Sequence, residues 1–159
     1  MQAATRDEIE AAFGGWTDKE ELFVPKLDEI DWDARDFLGW VHPGGHRGYL
    51  VHWSPVDGEL KGTVLRRSRR GGKKPHVEMC AWCHHVHYSG GTAMFSVSLK
   101  GSHGRHIFGN VVCADLACSL RIRNLIGAPP WASETMYLPA RIWRMQRKMH
   151  KWLRKADRL

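Results

Sequence analysis

The 159 residues predict an α+β fold: antiparallel β hairpins in the middle, short helices in front, a basic amphipathic helix behind, and four cysteines that tie distant parts of the middle together. Three observations predict it. Short β-type runs separated by turn residues fill positions 37 to 112, apolar residues recur at steps of four and three from Leu138 to Trp152, and the cysteines fall in two close pairs. A chain of this length builds one core with appendages rather than two full domains. We divide it into an acidic helical segment over 1–36, a mixed β domain over 37–128 and a basic helix over 133–159.

The first helix is announced by Thr5 and Glu8, which have the form of a capping box, with Ile9, Ala12 and Phe13 at helical spacing until Gly14-Gly15 stops the pattern. A second helical stretch is expected over Lys19 to Phe23, interrupted by Pro25, and the acidic segment Asp28 to Asp36 follows with Trp32 as its anchor. From Phe37 the period changes. Runs at Leu38 to Val41, Tyr49 to Trp53 and Thr63 to Leu65 are separated by Pro43-Gly44-Gly45 and by Asp57-Gly58, which fits two antiparallel hairpins. Ala93 to Leu99 and His106 to Val112 flank the glycine-rich turn Gly101 to Gly104 and give a further hairpin. Asp115 is placed to cap a helix running through Arg121 to Ile126, where Gly127 and Pro129-Pro130 end it. The last helix, from about Ser133, carries Leu138, Ile142, Met145, Met149 and Trp152 on one stripe, with Arg and Lys over most of the remaining circumference. Such a helix docks its stripe on a core, or lies on a membrane surface.

Charge is strongly segregated. Residues 1–40 carry four basic and eleven acidic side chains, residues 41–136 twelve and five, and residues 137–159 eight and one, so the total of +7 is an acidic front against a basic centre and tail. The front can neutralise the centre. The tail then remains unmatched and favours an anionic partner such as ribosomal RNA or an acidic protein face. No stretch approaches the roughly 20 consecutive apolar residues of a membrane span, and residues 1 to 30 lack the apolar run of a secretory signal, so a cytoplasmic protein is expected.

In the reducing cytosol, paired cysteines are metal ligands more often than disulfides. Cys80-Ala-Trp-Cys83 has the two-residue gap that lets a tight knuckle present two thiolates to one ion, and, with 29 residues between the pairs, Cys113 ends a strand and Cys118 begins a helix. Knuckle, hairpin and ligand-bearing helix follow in the order of a treble-clef zinc finger, over 80–126. Four sulfurs complete a tetrahedral shell with no open position, so one structural Zn2+ is expected and no catalysis. Two alternatives stay open: a redox dithiol at Cys80 and Cys83, and a histidine among His84, His85 and His87 replacing a cysteine.

Phe37-Leu38-Gly39-Trp40-Val41-His42-Pro43, Gly48-Tyr49-Leu50, Leu65-Arg66, the knuckle Cys80 to Cys83, and Gly109-Asn110-Val111-Val112-Cys113-Ala114-Asp115 with Cys118 together resemble one family. It is the elongation factor G-binding family with a C-terminal treble-clef zinc finger, typified by FusB-type fusidic acid resistance proteins. The resemblance covers about residues 30–126. It implies a zinc-stabilised mixed domain that grips elongation factor G and helps it leave the ribosome, with no covalent chemistry and no small-molecule substrate. The resistance proteins carry an aromatic residue directly after the first zinc cysteine that helps hold the factor; here that place is Ala81, and Trp82 stands one position later.

Trp82 is therefore a candidate contact residue. Arg66, Arg67, Arg69, Arg70, Lys73 and Lys74 place six cations in nine residues, a loop suited to following a phosphate backbone, and Lys100 and Arg105 can add a second contact from the Gly101 to Gly104 turn. The sequence thus supports two functions: an adaptor for elongation factor G, or a zinc-containing ribosome- or RNA-binding protein without affinity for the factor.

Overall fold

The computed structural model describes residues 1–14, 22–68, 77–88, 90–127 and 134–159. The predicted helix over Lys19 to Phe23 lies largely outside them, and Phe23 itself is not helical. Helix α1 (Arg6–Ala12) begins where the capping box predicts: the Thr5 side chain accepts from the Glu8 amide and the Glu8 carboxylate reaches back to the Thr5 amide at 2.7 Å. Strands β1 (Leu38–Val41), β2 (Arg47–Trp53), β3 (Leu60–Ser68), β6 (Thr92–Ser98) and β7 (Ile107–Cys113) form one antiparallel sheet in the order β1-β2-β3-β6-β7. Between β3 and β6 a small ribbon is inserted, made of β4 (Val77–Met79) and β5 (Val86–Tyr88). Helices α2 (Cys118–Ile122) and α3 (Leu138–Lys155) complete the described residues.

Because side chains alternate across a strand, consecutive residues of β2 serve different cores. Tyr49 and Val51 face α1 and the acidic segment, in a cluster with Ile9, Phe13, Val24, Leu38 and Trp40. The Tyr49 and Trp40 rings, opposite each other in the β1-β2 register, stack at 5.2 Å, and the edge of Phe13 closes on both at 6.0 Å. Leu50 points the other way, into a larger core with Leu65, Phe95, Val112, the four cysteines and the stripe Met145, Met149 and Trp152 of α3. The basic tail helix is thus docked. An ion pair crosses between the two halves: Asp36, whose side chain is 6% exposed, accepts from Arg123, the C-cap of α2, at 2.6 Å and from Gln146 of α3 at 3.2 Å.

Three sequence expectations are corrected. Strand β3 continues to Ser68, so Arg66 and Arg67 are strand residues rather than loop. Helix α2 is only five residues long and its N-cap is Ala117; Asp115 instead accepts the Ala117 amide at 3.1 Å and holds Arg121 in a two-point ion pair, which fixes the turn before the helix. Helix α3 begins at Leu138, not Ser133, because Pro139 takes the first turn, where its missing N–H costs nothing. No helix among the described residues is long and apolar enough to cross a membrane.

Candidate metal centre

Each cysteine pair is presented by a tight reversal of the chain. In the first, Cys80 follows β4, its amide donates to the His85 carbonyl at 3.0 Å, and the His84 amide donates back to the Cys80 carbonyl at 3.0 Å. His84 closes this knuckle with φ of 60°, in the left-handed region. The second pair is arranged alike. Cys113 ends β7, Cys118 opens α2, and Leu116 between them has φ of 60° and donates its amide to the Cys113 carbonyl at 2.9 Å. Leu116 is 1% exposed, so burial of its side chain against the sheet offsets the backbone strain.

The four Sγ atoms lie within 4.8 Å of one another, with Cys80 to Cys118 at 3.6 Å and Cys83 to Cys113 at 3.5 Å. Tetrahedral coordination at a Zn–S distance of about 2.3 Å places sulfurs roughly 3.8 Å apart, so this spacing fits zinc, and it is far beyond the ~2.05 Å of a disulfide. Burial pushes the Cys118 thiol well above its ordinary pKa, and its sulfur neighbours push it further. Cys80 is buried too, yet hydrogen bonds from Cys113, Cys118 and Cys83 outweigh that and hold it well below. Without a cation the cluster stabilises the Cys80 thiolate at the expense of Cys113 and Cys118. A divalent ion removes that conflict, and four thiolates leave it no open position.

These four residues hold one structural zinc, which joins the knuckle, the end of β7 and the start of α2. The dithiol alternative does not fit, since both pairs converge on one cluster. Among the described residues this all-cysteine group is the only one placed to hold a metal ion. His87 stands just outside it, with Nε2 3.3 Å from the Cys113 sulfur; burial, then the neighbouring His85 and Arg121, lowers its pKa. His85 stacks edge-on to it at 4.6 Å, and His84 turns outward to Lys148.

Beside the knuckle runs a groove of about 460 Å³, with Trp82, Phe108 and Trp152 among its apolar walls and Lys148, Lys151 and Lys155 along one side. The lysines recur at steps of three and four and so share a face of α3. Trp82, the candidate contact residue of the knuckle, is buried. Its ring is 1% exposed, edge-on to Phe37 at 5.7 Å and against Trp152 at 5.6 Å, because two residues remote in sequence close over it. Ala81 of the knuckle, half-buried, and Ile107 at the start of β7, 58% exposed, also line the groove. Arg66 is exposed on the sheet, whereas Arg67 braces the protein itself, donating to Ala114 at 3.2 Å and Gly45 at 2.9 Å. Arg69, Arg70, Lys73 and Lys74 lie outside the described residues. Lys100 and Arg105 are exposed on the β6-β7 turn, where the Lys100 amide donates to Ala156 at 3.2 Å and the Arg105 Nε to Ser102 at 3.3 Å. Sequence reasoning missed the three groove lysines, although their spacing on the tail helix was there to be read.

A family model described as the FBP C-terminal treble-clef zinc-finger matches residues 8–156. This is wider than the resemblance over residues 30–126 and takes in both terminal helices. No curated protein matches the chain by sequence. Among solved structures, the fusidic acid resistance protein FusC superposes with a TM-score of 0.60 at 19% identity, over 93% of this chain and 59% of that one. That likeness is one of fold, and the chain spans well under two thirds of the FusC chain.

Proposed function

Because the chain belongs to the FBP C-terminal treble-clef zinc-finger family, we propose that it binds translation elongation factor G and promotes the factor's release from the ribosome in the cytoplasm. The observation that carries this reading is the groove beside the zinc knuckle. It joins an apolar floor to a row of three lysines, a combination that accepts a protein surface with apolar anchors and acidic neighbours. Zinc supplies rigidity here. With the ion in place the knuckle presents Ala81 in a fixed position, its amide tied to the Val111 carbonyl at 2.9 Å on the edge strand β7. Binding energy alone then does the work: a partner that fits this surface shifts the factor toward its released state to the extent that it binds that state more tightly. No covalent step is proposed.

The test is retention of purified elongation factor G by the immobilised zinc-loaded chain. Retention at low salt is expected, with loss on Lys151→Glu and on Ile107→Asp. Failure of the wild-type chain to retain the factor at low salt overturns the reading.

A further inference from the structure

Strand β7 is the last strand of the sheet, and three hydrogen bonds fix which of its backbone groups face away from it. The Leu99 amide donates to the His106 carbonyl at 2.9 Å and the Ala114 amide to the Gly91 carbonyl at 3.0 Å, so Phe108, Asn110 and Val112 between them turn their N–H and C=O groups to β6. Backbone groups alternate in direction along an antiparallel strand, so those of Ile107, Gly109 and Val111 point outward. The Val111 carbonyl is taken by the Ala81 amide at 2.9 Å. Ile107 and Gly109, both exposed, have no partner for theirs among the described residues. Folded sheets blunt an open edge with proline, a charged side chain on the strand or a covering segment. Ile107–Cys113 carries neither proline nor charge, and Ile107 is reached from both faces of the sheet, since it lines a concavity on each. On the face that Phe108 and Asn110 share with α3, Lys148, Lys151 and Lys155 run alongside this edge, and among the described residues no carboxylate pairs with them.

We infer that the partner enters the groove as an extended segment that adds a strand to β7, with acidic side chains on the face it turns to α3. The N–H and C=O groups of Ile107 and Gly109 supply backbone hydrogen bonds, and the lysine row selects the charge of alternate side chains on the added strand. The Ala81 amide, bonded to Val111, closes the edge beyond Gly109 and so limits the added strand to a short one. A second copy of the chain fits less well. Two β7 strands paired about a two-fold axis would bring both lysine rows onto one face of the joined sheet, where like charges repel. The inference rests on the groove being the contact surface for elongation factor G, and names the conformation and charge of the segment that occupies it.

Amide hydrogen exchange of the zinc-loaded chain, with and without elongation factor G, tests it. Exchange at Ile107 and Gly109 is expected to slow about tenfold or more on binding, whereas Phe108 and Asn110, bonded to β6, are protected already. Gly109→Pro removes an outward N–H and no bond of the sheet. Gly109→Ala keeps that N–H and places a Cβ at the same point, 2.9 Å from the Met94 sulfur, so the ratio of the two affinities for the factor reads the amide alone. A difference of about tenfold in favour of alanine is expected, at similar melting temperatures. Lys155→Glu is expected to lower affinity severalfold at low salt, and unchanged affinity overturns the acidic segment. Retention of the factor with unchanged exchange at Ile107 and Gly109 overturns strand addition while leaving the groove as the contact surface, and so does equal affinity of the two Gly109 variants. A wild-type chain that retains no factor overturns both readings. A dimer that Gly109→Pro dissolves and Gly109→Ala keeps gives β7 to a second copy and also overturns the inference. If the proline variant does not fold, exchange in the wild-type chain decides.

Discussion

Leu116 sits on Gly39: a Cβ added to the glycine would lie 2.6 Å from the Leu116 Cβ and 2.9 Å from its carbonyl oxygen. Gly48, on the neighbouring strand, gives way in the same manner to the Leu116 Cδ1 at 3.0 Å and to the Phe95 ring at 2.6 Å. The loop that carries Cys113 and Cys118 is thereby seated on two glycines of the sheet, which couples the metal cage to β1 and β2. Gly39→Ala therefore pushes the second ligand pair off its seat. We expect a loss of roughly 1–3 kcal/mol, the usual range for overpacking, together with faster zinc release to a chromogenic chelator. Unchanged melting and unchanged release would separate the cage from the sheet.

Arg123 and Asp36 form an ionic link between the front of the chain and the C-cap of α2, with side chains 18% and 6% exposed. Arg123→Met leaves a nearly buried carboxylate facing an apolar chain, a change that costs about 3–5 kcal/mol. Adding Asp36→Asn removes the orphaned charge and should recover part of the loss in chemical denaturation. A double variant as unstable as the sum of the two single variants would mean that the pair is not coupled.

His52 lies fully buried on β2 with its ring 5.4 Å from His150 of α3, and burial lowers its pKa from 6.5 to about 4. Carbonyl hydrogen bonds at Trp53 and Arg158 oppose this, and His150 and Lys61 reinforce it. Above pH 6.5 the imidazole is neutral in both states. Between pH 6.5 and 4 the unfolded chain binds a proton that the folded chain refuses, so stability falls as pH falls, by up to about 3 kcal/mol. His52→Gln should flatten that segment of the stability profile. A parallel decline in both proteins would assign the acid sensitivity to other groups.

Trp82 and Ala81, adjacent in the knuckle, are expected to behave oppositely. Trp82→Ala empties a core position and should cost about 3–5 kcal/mol. Ala81→Glu faces the groove and should leave the melting temperature unchanged while weakening retention of elongation factor G. If Ala81→Glu retains the factor as well as the wild-type chain, the groove is not the contact surface.

What was legible in the sequence was whatever local chemistry determines. Thr5 and Glu8 specify the start of α1, Asp57-Gly58 specifies the β2-β3 connection, and the stripe from Ile142 to Trp152 specifies which face of α3 docks. The cysteine spacing foretold the metal site because ligand spacing is itself the constraint. Less legible were features decided by residues remote in sequence. Phe37 and Trp152 bury Trp82 from either side, and neither proximity can be read from the knuckle. The β4-β5 ribbon was missed because its strands are three residues long and expose Val77, Met79 and Tyr88, so no alternation marks them. Leu116 in a left-handed conformation gave no signal either, since a leucine there is explained only by the two glycines beneath it.

Everything on the knuckle side depends on four thiolates closing around one ion. Native mass spectrometry of the purified chain, before and after removal of metal with a strong chelator and paired with near-ultraviolet circular dichroism, tests this most directly. One zinc per chain is expected, with loss of the tryptophan signal from the Trp82 environment on removal and its return when zinc is restored. A chain that carries no stoichiometric zinc, or whose aromatic spectrum is indifferent to its removal, contradicts the account.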